Sequence, residues 1–271
     1  MKKVGLALGG GGWRGLAHVG VIKTLEKEGI PIHCIAGSSA GSLVGGLYSS
    51  FGNSRKLEDF FLKFGYRDLL RMISDPHLKS GLLKGDKAEK YLRKITKNKN
   101  IEDLGTEFCA VATDLTTGKN VYIRRGNLAK AIRASGSVPI LFDPQRRRGK
   151  VLIDGASTEP VPVRAVKEMG ADFVIAVNLN TGFFPLKSED LVYRARILLA
   201  TNRAMIDKIA EYNCKEADVV ITPRISKQKF MSKISFEWFL KFVREKEIIE
   251  DGIEATEKKI AKIKKLLESD I

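Results

Sequence analysis

The sequence predicts an α/β protein with three layers, α/β/α, around a mainly parallel central sheet, followed by C-terminal helices. Short apolar runs that suit buried parallel strands alternate along the chain with segments of helical periodicity. Glycine is concentrated near the start, where 13 of the 25 glycines lie in the first 52 residues. With 271 residues and 44% hydrophobic content, the chain can bury one sizeable core, which excludes a disordered or collagen-like protein.

The first four predicted elements alternate between strand and helix. Val4–Leu8 is an apolar run that ends in glycines, and helical spacing then continues from Trp13 to a stop signal that begins at Gly29. Ile32–Ala36 is the next predicted strand and Ser39–Ser50 the next predicted helix. Two strands joined by a helix form a right-handed crossover, so this order predicts a parallel sheet.

Later segments continue the alternation less regularly. Apolar runs predict five further strands, at Phe108–Leu115, Asn120–Arg124, Val151–Ile153, Phe173–Asn178 and Val219–Thr222. Helical spacing predicts five further helices, at Leu57–Phe64, Lys87–Ile95, Leu128–Ala134, Val161–Met169 and Glu189–Glu216. No repeat or low-complexity linker interrupts the chain, so we expect one domain over residues 1–271. Its core is expected over about residues 4–180, with a helical extension over about residues 225–271 and a candidate cap at Gly65–Lys99.

Charge and cysteine content limit the classes of partner and compartment. The formal charge of +15 admits nucleic acid or an anionic membrane surface as a partner, although solubility alone also accounts for it. The chain lacks the aromatic–basic modules of nucleic-acid folds and a zinc ligand set, so we expect no nucleic-acid partner and no metal. Three distant cysteines without a CxxC pair argue against a disulfide framework and favour a cytoplasmic location.

A candidate nucleophile lies where the second strand meets the second helix. Gly37-Ser38-Ser39-Ala40-Gly41 matches the G-x-S-x-G pattern, in which a sharp strand–turn–helix bend exposes the serine hydroxyl. The small flanking residues allow the crowding that such a bend requires, and the helix directs its positive end at the site. The alternative is that Ser39 is an ordinary N-cap residue of the helix.

A glycine-rich loop precedes the first helix. Gly10-Gly11-Gly12-Trp13-Arg14-Gly15 presents backbone N–H groups at a helix N-terminus, which suits an oxyanion or a phosphate. The spacing of its glycines also fits the dinucleotide fingerprint. That fingerprint expects an acidic residue after the second strand, which here ends in Ala36-Gly37-Ser38, and no Gly-Lys-Ser/Thr follows for a P-loop. The oxyanion function is therefore favoured over nucleotide binding.

A serine nucleophile needs a base, and histidine is poorly placed to supply it. The chain has three histidines, and all lie before residue 78, so the order serine, acid, histidine is excluded by counting. We expect His18 to be a packing or capping residue, His33 to lie in a buried strand and His77 in a loop. Asp154 is the candidate base, since it ends an apolar strand where desolvation raises a carboxyl pKa. The alternative is an ordinary turn residue in an Asp-Gly dipeptide.

Four motifs in order resemble those of the patatin-like phospholipases, a family of lipid acyl hydrolases. They are the glycine loop followed by Leu16–Val21, the segment Gly37–Gly41, Ala134-Ser135-Gly136-Ser137-Val138-Pro139, and Asp154-Gly155-Ala156. The resemblance implies that Ser39 attacks the ester carbonyl and that Asp154 accepts its proton and later activates water. It also implies that amides around Gly11, Gly12 and Trp13 hold the oxyanion, with the charge of Arg14 nearby. It implies no metal or cofactor, and an acyl lipid or phospholipid as the substrate.

The leading hypothesis is therefore a lipid acyl hydrolase of the phospholipase A, lysophospholipase or carboxylesterase type. A non-catalytic lipid-binding or regulatory protein on membrane surfaces is the alternative. Three segments are candidates for peripheral contact with an anionic membrane: the basic turn Gln145–Lys150, the loop Thr181–Pro185 and the aromatic–basic segment Lys227–Arg244. Their alternatives are, in the same order, a solvated turn, buried hinge packing and a helix docked on the core.

The C-terminal segment carries a heptad-like apolar seam. Its members are spaced alternately four and three residues apart: Ile249, Ile253, Thr256, Ile260, Ile263 and Leu267. Such a seam either forms an oligomer or lies against the body of the protein. We favour the second, because three heptads that include a threonine are marginal alone.

Overall fold

The computed structural model describes residues 2–77, 81–180, 194–225 and 246–269. Ten strands lie in these ranges: β1 (Val4–Leu8), β2 (Cys34–Ser38), β3 (Gly81–Leu83), β4 (Glu107–Asp114), β5 (Lys119–Ile123), β6 (Ile140–Phe142), β7 (Gln145–Arg147), β8 (Lys150–Asp154), β9 (Phe173–Val177) and β10 (Val219–Ile221). Eight form one sheet in the order β10-β9-β1-β2-β4-β8-β7, with β5 also paired to β4, while β3 and β6 form a separate pair.

Helices cover both faces of the main sheet. In the described ranges they are α1 (Ala17–Lys27), α2 (Ala40–Phe51), α3 (Ser54–Lys63), α4 (Tyr66–Ile73), α5 (Asp86–Ile95), α6 (Leu128–Ser135), α7 (Val163–Glu168), α8 (Arg194–Cys214) and α9 (Lys246–Glu268). One layer contains α1, α2, α6 and α9, and the other contains α7 and α8. This arrangement confirms the predicted three-layer α/β/α fold.

The five strands from β10 to β4 are parallel, as the sequence predicts, and are largely apolar and buried. Their side chains alternate between two cores, because successive residues of a strand point to opposite faces. In β1, Leu6 and Leu8 belong to the larger core below α1 and α2, whereas Ala7 belongs to the smaller core below α7. The smaller side chains on the second face let α7 approach the sheet closely.

Strand β4 places the ends of two other strands beside each other. Its residues 110 and 111 pair with both β2 and β5, and its residues 112–114 pair with both β5 and β8. Since β5 occupies one edge throughout, β2 and β8 must share the opposite edge. On that edge Ser38 ends β2 opposite Val111, and Asp154 ends β8 opposite Ala112. The antiparallel β8 therefore brings the C-terminal end of one strand to that of the other.

Several short elements were not predicted, and one prediction about a strand boundary was wrong. The candidate cap at Gly65–Lys99 contains α4, β3 and α5, and the basic turn at Gln145–Lys150 is a hairpin between β7 and β8. Strand β2 begins at Cys34, so His33 is an exposed residue before the strand and does not lie in a buried one. Its Nδ1 accepts a hydrogen bond from the Val4 backbone N–H.

Helix α9 lies against α1, the arrangement that we favoured for the C-terminal seam. Ile249, Thr256 and Ile263 are buried in this contact. The two backbones approach closely at glycines, since a Cβ on Gly252 would lie only 2.1 Å from the Ala17 carbonyl oxygen. The segments Thr181–Pro185 and Lys227–Arg244 lie outside the described residues. Among the helices in the described ranges, none is long and apolar enough to cross a bilayer.

Candidate active site

Ser39 occupies a strained turn between β2 and α2. Its backbone angles, φ 54° and ψ −120°, are unfavourable for a residue with a side chain. Gly41 permits the turn, since a Cβ there would lie 2.0 Å from the Leu8 carbonyl oxygen. The strain and the crowding are those of a nucleophile elbow, which raises the serine hydroxyl above the sheet. Ser39 is half-buried, and its side chain caps no N–H group of α2.

The glycine loop lies directly against this turn and against the Asp-Gly-Ala segment. A Cβ on Gly10 would lie 2.9 Å from Cβ of Ala156 and 3.3 Å from Cβ of Ser39. A Cβ on Gly15 would lie 2.6 Å from Cβ of Ala40. The structure therefore brings the glycine loop and the elbow together with the Asp-Gly-Ala segment, which lies more than 100 residues further along the sequence.

Asp154 is a buried carboxylate at the end of β8, with a side chain and backbone that are only 4% exposed. Burial raises its pKa to about 6, against the smaller opposing effects of the Ser39 hydroxyl and the Ala156 N–H. Its Oδ1 accepts a hydrogen bond of 2.8 Å from the Ala156 N–H, as an N-cap of the turn Gly155–Ser157. Its Oδ2 accepts no hydrogen bond of ordinary length and angle from the described residues.

The free oxygen of Asp154 and the hydroxyl of Ser39 are near neighbours. The hydroxyl is close enough to favour the charged form of the carboxylate, but the two do not form a fully aligned hydrogen bond. Such contacts are often long in unliganded enzymes and shorten when substrate binds. A carboxylate with one unoccupied oxygen and a raised pKa can accept a proton from the serine.

Two buried side chains fix the orientation of the glycine loop. Asn180 Nδ2 donates to the carbonyl oxygen of Gly10 at 3.1 Å, and Arg14 Nε donates to that of Gly11 at 3.3 Å. In a planar trans peptide the N–H points opposite to the carbonyl, so the amides of Gly11 and Gly12 point away from these side chains. Neither amide has a hydrogen-bond acceptor among the described residues. They are thus free to receive an oxyanion.

The peptide between Gly9 and Gly10 is also contacted at its carbonyl oxygen by a buried side chain, that of His18, but its N–H is not free. His18 is fully buried, its Nε2 lies 2.7 Å from the Gly9 oxygen, and burial lowers its pKa to about 4, so it is neutral. The next amide, that of Gly10, donates to the Pro160 oxygen at 2.8 Å. Gly10 therefore contributes space and a carbonyl to the predicted oxyanion motif, but not a free N–H.

Arg14 is buried and faces helix α8. Burial is the main effect on its pKa and lowers it, Arg203 lowers it further, and Asp207 opposes both. Arg203 Nε lies 2.9 Å from Asp207 Oδ1. Arg14 thus lies behind the loop, where it holds the Gly11 carbonyl and contributes its charge from that side.

The segment Ala134–Pro139 touches both candidate catalytic residues, a role that the sequence analysis did not assign. Ser135 Oγ accepts a 3.0 Å hydrogen bond from the Ser39 N–H, and the Ser137 carbonyl accepts one of 3.0 Å from the Asp154 N–H. Arg133 fixes this segment, since its Nη1 donates to Ser137 Oγ at 2.6 Å. The repeated serines of the motif were the available signal. Asn180 lies beyond all four motifs and carried no such signal.

The remaining histidines lie away from this cluster. His33 binds the backbone of β1, and His77 Nδ1 is 2.5 Å from the Asp143 carboxylate. Within the ranges that the structure describes, no group of three or more His, Cys, Asp or Glu side chains is arranged to hold a metal ion.

Comparisons with known proteins identify related sequences. A sequence model of the patatin-like phospholipases matches residues 6–167. An uncharacterised NTE family protein of Mycobacterium tuberculosis is 39% identical over 178 residues, which cover 66% of this chain and 49% of that protein. Lysophospholipase NTE1 of Debaryomyces hansenii is 36% identical over 183 residues, 66% of this chain and 12% of the relative. The chain therefore spans about half the length of the first relative and a small part of the second.

A solved structure shows the same fold at low sequence identity. VipD from Legionella pneumophila superposes with a TM-score of 0.51 and 14% identity, covering 96% of this chain and 67% of that one. This likeness supports the fold alone. The family match extends over more than half of the chain and includes the glycine loop, the elbow and the Asp-Gly-Ala segment. The chain belongs to the patatin-like phospholipase family.

Proposed function

We propose that the protein is a serine carboxylic-ester hydrolase of acyl lipids that uses a Ser39–Asp154 dyad. The observation that carries the proposal is the pairing of a strained, accessible serine with a buried carboxylate whose Oδ2 is unoccupied among the described residues. An N-cap serine would need no such neighbour. A surface turn aspartate would not have a pKa raised by burial to about 6.

The reaction proceeds by two acyl transfers. Asp154 accepts the hydroxyl proton as Ser39 Oγ bonds to the ester carbonyl carbon, and the carbonyl oxygen becomes an oxyanion beside the amides of Gly11 and Gly12. The intermediate collapses by breaking the bond to the alcohol, which leaves with the proton from Asp154. Water then loses a proton to Asp154 and attacks the acyl-enzyme. The fatty acid departs, and Ser39 regains its proton.

The raised pKa of Asp154 gives the carboxylate a more suitable basicity for this task. A general base works best when its pKa is near the operating pH, and such catalysis typically contributes about 10²- to 10⁴-fold in rate. With a pKa of about 6 the carboxylate is mostly ionised at pH 7 and is more basic than an exposed aspartate. The free amides add electrostatic stabilisation without moving during the reaction.

For the substrate we propose acyl lipids of the kinds cleaved by phospholipases A, lysophospholipases or carboxylesterases. The support is the family match and the relative named a lysophospholipase. We also propose a cytoplasmic location with peripheral contact to anionic membranes, which the charge of +15 favours.

Covalent labelling tests the nucleophile directly. A fluorophosphonate probe should label the wild type at Ser39, and p-nitrophenyl esters should be hydrolysed. Ser39→Ala should lose both properties while its melting temperature stays close to that of the wild type. Ser50→Ala, on the same helix but away from the dyad, is the matched control and should keep both. Labelling or full hydrolysis that persists in Ser39→Ala would refute the assignment.

The same experiment separates the alternative function. A lipid-binding or regulatory protein would bind phospholipid vesicles without labelling or hydrolysis in the wild type. A panel of phospholipids and lysophospholipids, with Ser39→Ala as the blank, would then identify the preferred acyl position and headgroup.

A further inference from the structure

A second site lies where β5 approaches the β7–β8 hairpin. A cavity of about 390 Å³ is open there, which we call the basic cavity. Five cationic residues line it together with the apolar floor of β5 and β8: Arg124, Arg125, Arg147, Arg148 and Lys150. No aspartate or glutamate is among its lining residues.

The charges of the basic cavity are only partly compensated. Arg124 lies 3.6 Å from the Glu168 carboxylate, on one flank. Arg147, Arg148 and Lys150 have no carboxylate within 4.0 Å among the residues that the structure describes. Cations that converge in this way repel one another, and a bound anion removes the repulsion.

Arg147 provides a second, independent observation. Its Nη2 donates to the Arg125 carbonyl oxygen at 2.9 Å, which fixes the guanidinium in place. Its Nη1 is buried and has no hydrogen-bond acceptor among the described residues. A buried donor without an acceptor is costly, so a side-chain shift that opens Nη1 to a ligand oxygen would be stabilising. A guanidinium whose orientation is fixed by the protein is also well suited to bind the oxygens of a phosphate.

The basic cavity is separate from the dyad but on the same strand. Lys150, Leu152 and Asp154 occupy every second position of β8, so their side chains share one face of the strand. At about 3.3 Å per residue, Lys150 is about 13 Å from Asp154 along the strand. A ligand in the cavity would thus lie outside the ester site.

We propose that the basic cavity binds a ligand that carries a terminal, doubly charged phosphomonoester group. Such a group occurs on small phosphorylated metabolites and on the headgroup of phosphatidic acid. Its charge matches the excess cations, and its oxygens match the free donor of Arg147. The proposal concerns binding alone and does not require that the dyad be active.

Two probes and two charge-matched variants test the proposal. The probes are sn-glycerol 3-phosphate, followed by calorimetry, and phosphatidylcholine vesicles that contain phosphatidic acid, followed by co-sedimentation. Vesicle binding is measured in the Ser39→Ala background, so that hydrolysis cannot affect it. The test variant Arg148→Gln/Lys150→Gln changes two exposed lining residues. The control Arg146→Gln/Arg55→Gln removes the same charge elsewhere, and Arg146 is an exposed neighbour on the same hairpin that does not line the cavity.

At about 0.15 M salt we expect the test variant to bind at least about tenfold more weakly than the wild type, and the control within about twofold. Loss with glycerol phosphate identifies a free phosphorylated ligand, and loss with vesicles alone identifies the lipid headgroup. Equal loss in both variants would mean attraction to net charge and would overturn the proposal. Absence of binding of either probe to the wild type would overturn it as well. Failure of the dyad would appear instead as absent labelling with binding intact.

Discussion

Replacing Asp154 with asparagine should affect catalytic activity and the free energy of unfolding in opposite ways. The folded protein raises the pKa of this carboxyl from an ordinary 3.8 to about 6, mainly by burial. Ionising it at neutral pH therefore costs the native state about 3 kcal/mol, at about 1.36 kcal/mol for each pH unit. Asparagine keeps an oxygen that can accept from the Ala156 N–H, and it carries no charge. The variant should therefore gain stability while it loses the base.

The direction of the pH dependence follows from the raised pKa. Below about pH 3 the carboxyl is largely neutral in both the folded and the unfolded protein, so the substitution adds little stability there. The gain grows as the pH rises through the interval from about 4 to 6 and is constant at about 3 kcal/mol above pH 7. For a chain of this length, the gain corresponds to a melting temperature about 5 °C higher. Differential scanning calorimetry at several pH values measures it.

Activity should change in the opposite direction. Asp154→Asn should lower kcat/KM for a p-nitrophenyl ester by at least about a hundredfold, the low end for a general base. In the wild type the rate should fall below a pH of about 6, as Asp154 becomes protonated. Asp114→Asn is the control, because hydrogen bonds from Thr116 and Thr117 outweigh burial and lower the pKa of Asp114. That variant should lose stability at neutral pH and keep the acid limb of the wild type.

Two results would refute this account of Asp154. A difference in stability between Asp154→Asn and the wild type that does not vary with pH would mean that burial does not raise the pKa of this carboxyl. A folded Asp154→Asn enzyme with the activity and acid limb of the wild type would remove it from the mechanism. Either result could occur without the other, so the two measurements test burial and base catalysis independently.

Three further predictions follow from the loop and from helix packing. Asn180→Ala should lower kcat by about 10- to 100-fold with little change in KM, because the freed Gly10 peptide no longer fixes an oxyanion donor; equal effects on both constants would contradict it. Gly252→Ala should lower the free energy of unfolding by about 1–3 kcal/mol through overpacking on α1, whereas Gly105→Ala, with open space around it, should not. Asparagine in place of any histidine should leave kcat within about tenfold, and a thousandfold loss in a folded variant would indicate a histidine base; the three positions are His18, His33 and His77.

The sequence predicts the parallel half of the fold well because its signals there are strong and local. Strands β1 and β9 are apolar runs, β2 begins as one before Gly37 and Ser38, and all three are fully buried. The three-residue strands β3, β6 and β7 carry no comparable signal. Strands β3 and β6 are formed by pairing with each other over a long sequence separation, and β7 is formed in its hairpin with β8. The start of β2 shows the limit of sequence-based prediction at an element boundary. The apolar residue Ile32 led to a predicted strand that begins before the true start at Cys34 and so includes His33.

The meeting of Ser39 and Asp154 could be expected from the family motifs but not from periodicity. Their contact depends on β8 being antiparallel and on its sharing an edge of β4 with β2. Neither property can be derived from the composition of Val151–Ile153. Burial of Asp154 could be expected from its position at the end of an apolar strand, and the structure agrees.

The glycine loop shows why its pattern alone leaves two functions open. A phosphate and an oxyanion both require exposed amides and glycines that leave space, and the spacing of the glycines suits either. What favours the oxyanion is the surroundings of the loop. The missing Cβ of Gly10 is the space into which Ser39 and Ala156 pack. Asn180, from beyond the motifs, turns the next amide toward free space. The sequence favours the oxyanion only by what it lacks, an acidic residue after the second strand and a P-loop lysine. Because the contacts described here join segments far apart in the chain, this positive support comes from the folded structure.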